Sequence, residues 1–371
     1  MGIKDYLKHL DHDEPQTKCR NYDHLYIDSN YMVHYLIYKC MNDNQLYFKI
    51  YDYFGYIFET LKISKTINLI FDGHYDKKMP SNPKQQTHIL RNKYKKQSDD
   101  YDKQSIYPGS PILSTFKTYI LDIIDKYKKI YMLNFKVELN DDTVEGEADL
   151  KILDKINKSD HDNICVMSKD SDIILISYSL IIRKNIKIDV MTNLRPIKFV
   201  DVNKIVNLSK PIFNGNKDIT KFGPDYVLII MLLGNDYLPK ISNINYETLF
   251  ACYEKYLAHG NNSIIYKNKI RKKNLINYIS YIIIYKNVKY NKKNLDLSRF
   301  NIYYNNLCWA LKYYNIIDNE LEYIQDLPTY KNEDVEDIED VENVENVEDN
   351  SDTKIRIRNV VNVYNFINGL I

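Results

Sequence analysis

The chain has 371 residues, 44% of them hydrophobic, which predicts a substantial core in one large domain or two. The net charge is +1, but its distribution is uneven, because one repetitive run from Glu333 to Asp352 contains eleven acidic residues. The rest of the chain has 51 basic and 39 acidic residues. Its net charge of +12 favours a polyanionic partner. The apolar runs are too short for a membrane span, and no signal-peptide pattern indicates secretion. The five cysteines are scattered, without CxxC or zinc spacing, which argues against structural zinc. We expect a reducing compartment, the cytoplasm or alternatively the nucleus.

Short apolar strands alternate with longer helical stretches in the first part of the chain. The intervening segments are long enough for crossover helices, which is typical of a parallel sheet. We therefore predict an α/β fold with a mostly parallel central sheet flanked by helices. The candidate strands are His24 to Ile27, Ile67 to Phe71, Phe135 to Leu139, Ile164 to Met167 and Ile186 to Val190.

Acidic residues follow three of these strands. HLYI ends at Asp28, INLIF ends at Asp72, and ICVM leads into Asp170 and Asp172. In open α/β sheets the functional site lies at the carboxyl ends of the strands, so one rim is expected to receive all of them. Three further acids belong to the same prediction: Glu145 and Glu147 at a predicted helix start, and Asp236 after an apolar helix that stops near Gly234.

Carboxylates crowded together raise one another's pKa unless a cation compensates them. All-oxygen ligation of this kind suits Mg²⁺ or Mn²⁺, so the pattern favours a metal-dependent phosphoryl-transfer site. Two other interpretations stay open. An EF-hand loop drawn from Asp141 has Ile152 where a bidentate glutamate is needed, and a solvated acidic face accounts for Glu145 and Glu147 about as well when they are taken alone.

The C-terminal part changes character. Beyond Phe250 the sequence is typical of helices and is rich in aromatic residues. The basic run at 267–273 could bind a phosphate backbone or form a solvated loop. Trp309 is predicted to be a core residue in preference to a base-stacking one. The acidic run is interpreted as a disordered linker, with competition for the basic surface as the alternative. The predicted organisation is a nuclease domain at 1–245, a helical extension at 246–330, an acidic linker at 331–353 and a short terminal segment at 354–371.

Five blocks, in order, resemble the motifs of the XRN family of 5′→3′ exoribonucleases, within the PIN-like and flap-endonuclease superfamily. The blocks are YIDSNYMVH at 26–34, FDG at 71–73, VEGEADLK at 144–151, SKDSDIILIS at 168–177 and PDYVLIIMLLGNDYLP at 224–239. A stretch at 303–315 resembles part of the family's second conserved region, most of which is missing here. The resemblance implies a PIN-like 5′ nuclease core.

The resemblance also implies roles for individual residues. Asn30 and His34 match substrate-binding positions, with His34 stacking on a base, although a helix-face histidine is an equal alternative. A helix at 84–95 would grip a 5′-monophosphate through Lys84, His88, Arg91 and Lys95, which share one helical face; a solvated basic face is the alternative. Two Mg²⁺ or Mn²⁺ ions would be held by Asp28, Asp72, Glu145, Glu147, Asp170, Asp172 and Asp236, which are also the catalytic residues.

The predicted activity is metal-dependent 5′→3′ hydrolysis of single-stranded, 5′-monophosphorylated RNA, as in messenger turnover. Ala148 and Asp149 stand closer to the flap-endonuclease pattern, which keeps a structure-selective 5′ nuclease on DNA as the alternative. The segment after Asp236 lacks the glycine-bearing hairpin of that branch, which favours RNA. A catalytically degenerate nucleic-acid-binding protein is the non-enzyme hypothesis, and protein partners are not indicated.

Overall fold

The computed structural model describes residues 6, 10, 19–37, 40–73, 106–194, 197–209, 219–235, 238, 244–285 and 297–318. Within these ranges, no helix combines the length and the apolar character that crossing a bilayer requires. All five cysteines are free thiols.

A six-stranded sheet forms the centre of the molecule, in the order β3-β2-β1-β4-β5-β6. The first five of these strands run parallel, and β6 pairs antiparallel with β5 at one edge. The strands are β1 Arg20–Asp28, β2 Leu61–Ile70, β3 Lys136–Asn140, β4 Asn163–Met167, β5 Lys187–Leu194 and β6 Ile197–Asp201. The predicted fold class, a mostly parallel sheet flanked by helices, is confirmed.

Helices cover both faces of the sheet. One face packs against α1 Ser29–Ile37, α2 Asp43–Thr60 and α3 Pro111–Tyr131. The other packs against a thicker layer: α4 Ala148–Lys158, α5 Asp172–Lys184, α6 Val202–Ser209, α7 Ile219–Met231, α8 Tyr246–Ala258, α9 Lys272–Tyr285 and α10 Leu297–Tyr313. Helix α5 is buried from Asp172 through Ile182, because it lies between the sheet and the outer helices. An all-round apolar helix needs such a sandwiched position.

Two strands differ from their prediction. Strand β2 begins at Leu61, six residues before the predicted start, because the polar segment at 62–66 extends the pairing with β1. Strand β6 was not predicted, because its position is set by antiparallel pairing with β5. The other predicted strands agree with the structure to within a few residues.

The C-terminal helices share a hydrophobic core with the sheet. Tyr226 on α7 stacks on Tyr178 of α5 with ring centroids 4.6 Å apart, and contacts Phe250 of α8. Trp309 is partly buried, packs against the same core and stacks on Tyr313 with ring centroids 5.1 Å apart. The described helical part therefore packs against α5 and continues the hydrophobic core of the central sheet through it.

Candidate active site

The carboxyl ends of four neighbouring strands present acidic residues at one edge of the sheet. Asp28 is the last residue of β1, Asp72 lies just beyond β2, and Asp170 lies just beyond β4. The loop after β3 carries Glu145 and Glu147. Since β3, β2, β1 and β4 are adjacent and parallel, all four ends lie on the same edge.

Asp28 sits among other negative charges. Loss of solvent around its carboxyl, followed by the charges of Asp72 and Asp170, raises the pKa of Asp28 to about 7. Two hydrogen bonds oppose that shift: Ser168 Oγ donates to Asp28 Oδ2 at 2.9 Å, and the Tyr31 amide donates to Oδ1 at 3.4 Å. Burial and the like charges raise the pKa by more than these two hydrogen bonds lower it. The negative charge at this edge is therefore not balanced by nearby positive charge.

Asp72, which follows β2, caps the N-terminus of α4, the helix that connects β3 to β4. Its Oδ1 accepts a 2.7 Å hydrogen bond from the amide of Ala148, the first residue of α4. The residue at the usual capping position, Glu147, makes no such bond. Asn30 Oδ1 accepts from the Asp72 amide at 3.3 Å and so fixes the backbone that carries the carboxylate. An anion is favoured there because helix amides and dipole point at it.

The two glutamates differ in exposure. Glu145 is exposed, whereas Glu147 is buried. Their loop is tied to the end of β2 by a 2.9 Å hydrogen bond from the Gly73 amide to the Gly146 carbonyl. The approach is so close that a Cβ built on Gly73 would stand 1.6 Å from the Val144 carbonyl oxygen. Only glycine fits between these two loops.

Asp170 and Asp172 open α5. The Asp172 amide donates to Asp170 Oδ1 at 3.2 Å, and the Asp172 side chain is buried. Ser168, which is buried, joins Asp170 to Asp28: its Oγ accepts from the Asp170 amide at 3.2 Å and donates to Asp28. Sequence analysis did not assign Ser168 to the site, although its place between the strand and the acids was a usable signal.

Lys151 is a second residue that sequence analysis did not assign. Its buried ammonium donates to the carbonyls of Phe71 at 2.8 Å and Asp141 at 3.2 Å, and also to that of Val144. Burial lowers the pKa of Lys151, and the charge of Asp72 partly offsets this effect. The ammonium of Lys151 thus links the segment after β2, which carries Asp72, to the segment after β3, which carries Glu145 and Glu147.

Replacing Lys151 with methionine is expected to destabilise the protein by about 2 to 4 kcal/mol, because three carbonyl oxygens lose their buried donor. Urea unfolding measures this effect. Lys155→Met, on the same helix but paired with Glu138 nearer the surface, is the matched control. A Lys151 variant as stable as this control would contradict the anchoring role.

His34 lies half-buried on α1, on the helix that Asp28 caps. The same helix carries Tyr31 and the half-exposed Tyr35, whose ring centroids are 6.3 Å apart. The ammonium of Lys169 lies 5.9 Å from the Tyr31 ring. An aromatic surface therefore adjoins the acidic edge.

Part of the predicted site lies outside the described residues: Lys84, His88, Arg91, Lys95 and Asp236. Within the described part of the chain, no three His, Cys, Asp or Glu side chains already stand as a cluster able to hold one metal ion. The donor chemistry still fits a hard divalent cation, because the groups at this edge are carboxylates, and the pKa of Asp28 is raised first by burial and then by the charges of Asp72 and Asp170.

A family model, the XRN 5′-3′ exonuclease N-terminus, matches residues 1–191. The 5′-3′ exoribonuclease 1 of Saccharomyces cerevisiae is 19% identical over 367 residues, covering 81% of this chain and 24% of the yeast protein. A protein of Acanthamoeba polyphaga mimivirus provisionally named 5′-3′ exonuclease is 24% identical over 183 residues, covering 44% of this chain and 30% of the viral protein. The chain thus spans about a quarter to a third of the length of these relatives.

Among solved structures, complexes of the catalytic core of Rad2 with DNA substrate align with this chain. One has a TM-score of 0.39 and 13% identity and covers 82% of each chain. A second has a TM-score of 0.38 and 12% identity, over 87% of this chain and 88% of the other.

Proposed function

Because the chain belongs to the XRN 5′-3′ exonuclease family, we propose that it is a 5′→3′ exoribonuclease acting on single-stranded RNA. The observation that carries the proposal is the placement of Asp28, Asp72 and Asp170 at the carboxyl ends of three neighbouring strands. Burial, followed by the charges of the other two carboxylates, raises the pKa of Asp28, and a bound cation would offset both effects.

The proposed cofactor is Mg²⁺ or Mn²⁺, as two ions. When bound, such ions supply an activated water and a counter-charge for the leaving oxygen of the scissile phosphodiester. Oxygen donors at several strand ends suit them, and a site without cations would repel the phosphates of the substrate. The proposed ligands are Asp28, Asp72, Glu145, Glu147, Asp170, Asp172 and Asp236.

The chain's own residues orient these groups. Ser168 fixes the carboxylate of Asp28, Asn30 and the start of α4 fix Asp72, and Lys151 holds the two loops together. For the substrate, we propose that His34 stacks on a base near the 5′ end. Selectivity for a 5′-monophosphate, which suits turnover of decapped messenger, would rest on Lys84, His88, Arg91 and Lys95.

The test is digestion of a 3′-labelled single-stranded RNA carrying either a 5′-monophosphate or a 5′-hydroxyl, with Mg²⁺ and with chelator. Rapid Mg²⁺-dependent loss of the monophosphate form alone is expected. Equal loss of both forms would keep the nuclease and remove the phosphate selectivity.

The alternatives give different results in the same assay. Cleavage of a flap DNA with no loss of either RNA would establish the DNA-directed nuclease instead. An oligonucleotide bound equally well with and without Mg²⁺, and never shortened, would identify a degenerate binding protein. Either result overturns the proposal.

A further inference from the structure

A small hairpin carries a lysine in an unfavourable backbone conformation. Strands β7 Ile265–Tyr266 and β8 Lys269–Ile270 are joined by Lys267 and Asn268, with φ of 49° and 57°. A two-residue hairpin turn with both φ positive usually holds Asn-Gly, and a left-handed lysine costs about 1 to 2 kcal/mol. Such strain persists where surrounding structure enforces it, and it is a reason to look for function.

The hairpin is firmly anchored. The buried carboxylate of Asp225 accepts hydrogen bonds from the amides of Ile264 and Ile265, both at 2.7 Å. At the tip, Asn268 Nδ2 donates to Asp318 Oδ2 at 3.1 Å, and the Asp318 amide donates to the Asn268 carbonyl at 3.0 Å. Side chains carried by this hairpin are therefore presented from a fixed backbone, which reduces the entropy lost on binding.

The exposed side chains of the hairpin are basic and aromatic. The run at 267–273 holds five cations in seven residues, and the sequence has no acid between Glu254 and Asp296. Tyr266 is 41% exposed; the Arg271 guanidinium lies 4.2 Å from its ring centroid and the Lys267 ammonium 5.5 Å. We call Tyr266, Lys267, Lys269, Arg271 and Lys273 the hairpin surface. Cations interleaved with an aromatic face are the means by which proteins bind single strands without sequence preference.

The hairpin surface lies away from the acidic edge. Helix α5 begins at that edge with Asp172 and ends beyond Arg183, a rise of about 16 Å. Seven residues along α5 from Asp172, Ser179 Oγ donates to the Tyr314 carbonyl at 3.3 Å. Four residues after Tyr314, Asp318 binds the hairpin tip, and its charge acts on Arg183 in the last turn of α5. A strand held by its 5′ end at the acids would reach the hairpin only with downstream nucleotides.

We infer that the hairpin surface binds the phosphate backbone of single-stranded RNA, downstream of the nucleotides held at the acidic edge. The identity of the ligand as RNA rests on the proposed function. Solvated lysines are the alternative, and Arg271 has a separate task because its charge counters that of buried Asp225. The test therefore changes lysines alone and leaves Arg271 in place.

The experiment measures binding of the full chain, in chelator, to a 3′-labelled RNA of about 30 nucleotides and to one of about 4, over a range of salt concentrations. The triple variant Lys267→Gln/Lys269→Gln/Lys273→Gln is compared with Lys62→Gln/Lys129→Gln/Lys136→Gln, which removes equal charge from exposed positions on β2, α3 and β3. On the long RNA, the hairpin variant should bind at least about tenfold more weakly, with a salt slope shallower by about 2, as expected for three lost phosphate contacts. The control should keep the slope of the unmodified chain, and the short RNA should not distinguish the variants.

A second variant separates binding from folding. Lys267→Gly relieves the left-handed backbone, so it should raise the thermal midpoint while weakening binding to the long RNA and reducing the salt slope by about 0.7. Equal slopes for the hairpin variant and its control, or tighter binding by the hairpin variant, would overturn the inference even if the RNA is digested. If the salt slope of the hairpin variant is reduced but the unmodified chain digests no RNA, the hairpin surface is supported and the proposed nuclease activity is contradicted.

Discussion

Replacing Asp28 with asparagine is expected to lower hydrolysis roughly 10²- to 10³-fold and at the same time to stabilise the metal-free protein at pH 8. The pKa of this carboxyl is raised from the ordinary 3.8 to about 7, first by burial and then by Asp72 and Asp170. A raised carboxyl pKa stabilises the fold fully below about pH 4, and that contribution is lost as the pH rises through 7. At pH 8 the charged form therefore costs on the order of 4 kcal/mol, which a neutral amide avoids.

Thermal unfolding in chelator at pH 5 and pH 8 measures the effect. The unmodified protein should lose stability between these values, and Asp28→Asn should show a smaller loss and a higher midpoint at pH 8. Activity with Mg²⁺ should fall by roughly 10² to 10³-fold, the scale seen when one electrostatic group is removed from an active site. Asp160→Asn, in an exposed loop, is the control. A destabilised Asp28 variant at pH 8 would show that the carboxylate is compensated in some other way.

Gly73→Ala is expected to be the most damaging single-methyl change at the site. The new Cβ would stand 1.6 Å from the Val144 carbonyl oxygen and 3.1 Å from the Cα of Glu145. Backbone cannot rotate aside as a side chain can, so the loops must separate and the bond from Gly73 to Gly146 must break. We expect a loss of at least about 3 kcal/mol in unfolding free energy, together with the activity that depends on Glu145 and Glu147.

Two other glycines provide matched controls. Gly146 and Gly260 have φ of +101° and +75°, and no atom lies within 4 Å of a Cβ built on either. Alanine there should cost about 1 kcal/mol through backbone strain alone. Gly260→Ala should leave activity unchanged, because that residue lies between α8 and the hairpin. If Gly73→Ala were no worse than Gly260→Ala, the two loops would not be in the close contact described.

Sequence reasoning placed these acids at one edge of the sheet because strand ends can be counted. Asp28, Asp72 and Asp170 each follow an apolar run, and parallel pairing brings such ends together whatever the details of packing. Ser168 and Lys151 escaped notice for a different reason. Their roles depend on which carbonyl or carboxylate a folded loop brings within 3 Å, and no spacing rule encodes that. The start of β2 was missed because pairing with β1, not apolar pattern, sets it.

The layer of helices beyond β5 bears on how the molecule folds. Likeness to the family model stops at Met191, in the middle of strand β5, whereas the hydrophobic core continues through α5 into α7, α8, α9 and α10. The segment that the family model matches is therefore shorter than the segment that shares one hydrophobic core. A fragment cut at the end of the recognisable segment would leave Tyr178 and its neighbours without a cover, and we expect it to aggregate. The longer chain should melt in a single transition that includes its C-terminal helices.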